Sequence, residues 1–184
     1  MQIKRTTMLD VAVAYNRYKF IGEEFLTWLW FLIDTSQERL KSIDNEIDGL
    51  EIGNRIVLEN RKNKSVERIT IKGDDAGLEE GILALKKGAL VTELSLKYKS
   101  NNHEWKFSIK GESLNLSSLK TPSMALPETA EDLEGYVIEK KYLYEKIIKF
   151  IESAFLNYIK TRISNSWNKT EQPLIRQWVH HVSQ

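Results

Sequence analysis

Glu104-Trp105-Lys106 sets a carboxylate and an amine two residues apart, which on a strand places both on one face. Asp74-Asp75 lies about 30 residues upstream. Metal-dependent nucleases use such a set, because carboxylates hold Mg²⁺ while the lysine supports the attacking water. The same pair is also the polar half of any alternating strand, and the run Glu93, Lys97, Lys99 just before it already has that character. The plainer reading is therefore a wet strand face, with a nuclease as a third-ranked alternative.

Other chemistry is weaker still. His180-His181 are adjacent, so on a helix they point about 100° apart and cannot share a metal. His103 sits in a turn between two strands, with no nucleophile near it in sequence. Glycines 73, 77, 81 and 88 lack the spacing of a phosphate loop or a dinucleotide fold and read as turn and cap residues. There is no cysteine, which removes thiolate metal sites, a cysteine nucleophile and a disulfide framework together. The expectation is a non-enzymatic chain without catalytic residues, metal or cofactor.

The elements that must carry these side chains are legible in part. Leu90, Thr92, Leu94, Leu96 and Tyr98 alternate with Val91, Glu93, Ser95, Lys97 and Lys99; beyond Ser100-Asn101-Asn102, residues Trp105, Phe107 and Ile109 alternate with Glu104, Lys106, Ser108 and Lys110. That is an antiparallel hairpin with one wet face. A two-residue Asn101-Asn102 turn sets Tyr98 against Trp105, Leu96 against Phe107 and Leu94 against Ile109. On the wet side Lys99 then faces Glu104, Lys97 faces Lys106, and Glu93 faces Lys110. Two facing lysines repel by up to about 1 kcal/mol, and a phosphate backbone would relieve this.

Two further short strands are expected at 55–59 and 66–72, joined by a polar turn containing Arg61, Lys62 and Lys64. A short helix follows at 77–87, stopped by Gly88, with Lys86 and Lys87 at its end. Residues 9–20 alternate in part and suit a strand or an arm. Residues 22–34 read as a helix with acidic residues in its first turn. Phe25, Trp28, Trp30 and Phe31 help make it apolar nearly all round, so it is either central to the core or half of a partner interface. One long helix, or two in series, is expected over 132–162, and a last one from Pro173 carrying Leu174, Trp178 and Val182. The fold class is thus α+β: an antiparallel sheet of short strands and a hairpin, packed with an N-terminal aromatic helix and long C-terminal helices. The division expected is 1–121, a linker at 122–131, and a helical region 132–184 that packs on the first part or stands beside it.

With 41% hydrophobic residues in 184, the chain has material for a core. The start, Met1 to Arg5 followed by Thr6, Thr7 and Asp10, lacks the apolar run of a secretory leader. The cytoplasm, at the nucleoid, is the expected location. The net charge of +1 carries no general nucleic-acid signal. Its distribution does: residues 55–110 hold 12 basic and 8 acidic side chains, against 6 and 9 in residues 1–54.

The aromatic segment Phe25-Leu26-Thr27-Trp28-Leu29-Trp30-Phe31, the strand end Ile69-Thr70-Ile71-Lys72, the run from Gly77 to Leu96, and Ser117-Ser118-Leu119-Lys120 together resemble the C-terminal half of the recombination-associated RdgC family. The likeness spans roughly residues 15–122, with a looser match beyond. It implies sequence-nonspecific binding of double-stranded DNA, a role in recombination, and phosphate contacts at Lys72, Lys86, Lys87 and Lys97, to which the wet hairpin face adds Lys99, Lys106 and Lys110. That family's N-terminal half has no counterpart in these residues, so the resemblance implies a homo-oligomer or a companion subunit that supplies it. The rival from another class is a protein-binding adaptor that leaves DNA to its partner.

Overall fold

The computed structural model describes residues 20–62, 65–73 and 77–181. The strand or arm expected over 9–19, the residues Lys64, Asp74 and Asp75, and Val182 lie outside them.

Five strands form one antiparallel sheet: β1 Gly49–Lys62, β2 Ser65–Lys72, β3 Leu90–Ser100, β4 His103–Lys110 and β5 Leu116–Lys120, in the order β2-β1-β3-β4-β5. The β3–β4 hairpin has the expected register throughout, including Tyr98↔Trp105, Lys97↔Lys106 and Glu93↔Lys110. Asn101 and Asn102 have φ of 49° and 61°, the left-handed values that asparagine tolerates and a two-residue hairpin turn requires.

The helices among the described residues pack on one face. They are α1 Phe20–Thr35, α2 Gln37–Ile43, α3 Gly77–Lys86, α4 Ala130–Ile163 and, after a π-helical turn at Trp167–Glu171, α5 Gln172–His181. The α+β class is therefore as expected, with the two short elements α2 and β5 added. Neither has a readable period: α2 is seven residues with only Leu40 buried, and β5 is interrupted at Ser118, whose φ is 55°.

Helix α1 is the centre of the core. Phe25, Trp28, Trp30 and Phe31 are all buried, Phe31 being the most exposed at 4%. They are not the partner-binding surface that sequence offered as one alternative, because the chain's own helices cover them. Phe25 meets Phe155 edge-on at 5.3 Å, Trp28 meets Tyr158 at 5.6 Å, and Trp30 and Phe31 both meet Trp178 at 5.7 Å. Polar staples pin the same contacts. Trp28 Nε1 donates to Glu171 at 2.7 Å, Arg39 donates to the same oxygen, and Trp178 Nε1 donates to Asp34 at 2.6 Å. One hydrophobic cluster thus runs from Phe25 to Trp178, so the C-terminal helices α4 and α5 share their core with the sheet.

Helix α4 starts with a capping box of Thr129 and Asp132. Its 34 residues measure roughly 51 Å at 1.5 Å per residue, longer than the sheet beneath. Burial begins at Leu143, where the backbone carbonyl accepts Trp105 Nε1 at 3.0 Å. Leu133, Val137, Ile138 and Tyr142, in the preceding turns, are each at least half exposed. No helix among the described residues is long and apolar enough to cross a membrane.

Two buried tyrosines give the fold an alkaline limit. Burial, and then the hydrogen bond that its hydroxyl donates to Asp44 at 2.7 Å, push Tyr98 far above the usual phenol range; burial and the bond to Glu24 at 2.6 Å do the same to Tyr158. A folded-state pKa above the unfolded value means that the folded chain keeps a proton the unfolded chain releases. The contribution is whole below about pH 10 and is lost as pH rises beyond it. Urea midpoints should fall from about pH 10 upward, and Tyr158→Phe should flatten that fall.

Candidate nucleic-acid interface

Strand alternation sends Leu94, Leu96, Tyr98, Trp105, Phe107 and Ile109 to the helices and leaves the other sheet face to polar side chains. Register then brings together lysines far apart in sequence. Lys97 pairs with Lys106, and Lys106 with Lys120, so three lysines stand in one row across β3, β4 and β5. Strands about 4.8 Å apart make that row roughly 10 Å wide. Glu51 closes it on the β1 side, opposite Lys97.

The rows on either side continue the pattern. Arg55 on β1 pairs with Lys72 on β2, and Lys110 on β4 pairs with Glu93 on β3. This part of the face carries Arg55, Lys72, Lys97, Lys99, Lys106, Lys110 and Lys120 against Glu51, Glu93 and Glu104. Each carboxylate has a cation: Glu93 lies 3.5 Å from Arg55, Glu104 lies 2.9 Å from Lys106, and Glu51 accepts from Lys99. The bond from Lys106 holds the Glu104 carboxyl below the usual carboxylate range, and that from Glu51 raises the Lys99 amine. Among the described residues Lys72, Lys110 and Lys120 have no ion pair. Cations therefore exceed anions by four, and the excess is concentrated on one open surface.

Of the lysines expected to contact phosphate, the structure brings Lys72, Lys97, Lys99, Lys106 and Lys110 to this face. Lys86 and Lys87 are elsewhere. Lys86 ends α3 and Lys87 follows it; the helix lies on the helical side of the sheet, where a Cβ at Gly81 would meet Trp30 and Ile71. The helix was readable, but which face it would cover was not. Arg55 and Lys120 join the site without having been singled out. Arg55 was accessible in principle from the register of β1 on β2; Lys120 was not, because the irregularity between Lys106 and Ser108 defeats simple alternation in β5.

Asp74 and Asp75 of the nuclease arrangement lie outside the described residues. Glu104 and Lys106 do share a face, but they are joined to each other, and among the described residues no group of three His, Asp or Glu side chains is placed to hold a metal. His103 begins β4 and lies edge-on to Trp105 at 6.1 Å. His180 stands near the end of α5.

No family model matches the chain, and neither a curated protein nor a solved structure matches it.

Proposed function

We propose that this chain is a non-enzymatic DNA-associated protein that holds the phosphate backbone of double-stranded DNA, without reading its sequence, on the open face of the sheet. The observation that carries this reading is the row Lys97, Lys106 and Lys120. Like charges placed side by side repel, and a polyanion laid across them turns that cost into binding energy through counterion release. The side chains are long, flexible amines without the forked geometry that reads base edges, which favours backbone contact over sequence readout. The resemblance to RdgC proteins over residues 15–122 supports a role in recombination at the nucleoid, with a second copy or a companion subunit completing the assembly.

Affinity for a labelled duplex should fall steeply with salt. With three to five lysines on phosphates, the slope of log K against log salt should be about −3 to −5. Undetectable binding at low salt would end the proposal for this chain.

A second reading, a protein-binding adaptor without DNA contact, is favoured by one observation. Leu133, Val137, Ile138 and Tyr142 expose apolar surface on the part of α4 that precedes its first buried residue, Leu143. Such an adaptor would keep its partner when the sheet lysines are reversed.

A further inference from the structure

We propose that the trough in the open sheet face is a seat for one phosphate group, so that a bound backbone is anchored at a defined point and not held by diffuse charge alone. The identity of the phosphate as part of a DNA backbone rests on the function proposed above; the seat itself rests on geometry.

The trough has a volume of 470 Å³, within the range of roughly 300–1,000 Å³ typical of small-ligand sites. Its floor is kept bare by Gly53, which lies at the irregularity of β1 between Ile52 and Ile56. A Cβ there would come within 2.9 Å of the Ser95 Cβ, so any larger residue would push the strands apart and fill the floor. Beside it, Ser95 and Ser108 pair across β3 and β4 with their hydroxyls 2.7 Å apart. Two hydroxyls carry two protons, and their mutual bond uses one. The other remains to be donated.

Arg55 also lines the trough. Its Nε–H is buried and has no partner, while the other branch of the guanidinium approaches Glu93 at 3.5 Å. A buried donor without an acceptor is a standing cost, and the Arg55 side chain, 41% exposed, has room to turn its guanidinium onto a ligand oxygen. Lys106 and Lys120 stand on the rim. Donors on β1, on the β3–β4 floor and in the lysine row thus line one trough. Donors on three strands suit the several oxygens of a phosphate better than the flat pair of a carboxylate. Glu93 is the one carboxylate in the lining, and Arg55 neutralises it.

The test uses the full chain, a short labelled duplex and inorganic phosphate. Two variants remove donors without changing charge: Ser95→Ala with Ser108→Ala, and Arg55→Lys, which decides the matter alone should the serine double variant fail to fold. Each should weaken duplex binding about tenfold, the size of a hydrogen bond to a charged group, and leave the salt slope unchanged because no cation is lost. Variants that bind the duplex as wild type does would overturn the seat and leave the DNA reading standing. If wild type ignores the duplex but inorganic phosphate shifts the amide resonances of Gly53, Ser95 and Ser108, and Arg55→Lys abolishes those shifts, the seat stands and DNA falls. Neither response in wild type would overturn both.

Discussion

Replacing Lys97 and Lys106 together by glutamate is expected to lower duplex affinity at least about 100-fold at low salt and to reduce the salt slope by about 2. These side chains are cross-strand neighbours, so reversal does more than delete two contacts. It places two anions between Glu51 and Lys120, in the middle of the row a backbone would cross. Folding should be little affected. Lys106 is 54% exposed, so although reversal also breaks its ion pair with Glu104 and sets an anion opposite Glu51, the cost in stability should stay at about 1 kcal/mol. An electrophoretic or anisotropy titration beside a urea melt separates the two quantities. Unchanged duplex binding by a folded variant would remove the sheet face as the DNA surface, whereas loss of DNA with retention of a protein partner would show that the adaptor surface lies elsewhere.

Trp28→Ala should unfold much of the protein. Trp28 is fully buried, packs on Phe25 and Tyr158, and donates its indole N–H to Glu171, itself only 6% exposed. Truncating a buried tryptophan costs about 3–5 kcal/mol through lost burial and the cavity left behind. Here a buried carboxylate also loses a donor and keeps only Arg39, which adds about 1–3 kcal/mol. Against a typical stability of about 5–15 kcal/mol, that is most or all of the margin. A urea titration followed by far-UV circular dichroism would measure it. Were Trp28 instead an exposed partner anchor, the substitution would leave the monomer's midpoint in place and affect only association.

The lysine pair and Trp28 mark the boundary between what sequence pattern reveals and what it leaves open. The lysine face was visible because a period of two ties every second residue to one side, and Asn101-Asn102 sets the register of β4 on β3. Both pieces of information are local. Lys120 was hidden because it reaches the row through a long-range pairing with an irregularity in it. The register of β1 on β2 sets Arg55 opposite Lys72, but its place above the floor depends on the irregularity in β1 after Ile52. Lys86 and Lys87 fall away from the lysine face for a related reason: periodicity finds a helix but does not say which face of the sheet it covers.

Residue types and spacing by themselves determined the α+β class, the hairpin with its wet basic side, the aromatic helix and the long C-terminal helix, since each is a repeating pattern read within one segment. Only the tertiary structure decided that the aromatic helix is enclosed by α4 and α5. The reason is that a helix apolar all round needs cover, and sequence cannot say whether a partner or the chain's own later segments provide it. Tertiary structure also decided that Gly53, Arg55, Ser95, Ser108 and Lys120 share one trough. Strands distant in sequence meet there through backbone pairing, and the register that joins them is an outcome of packing the whole sheet against the helices.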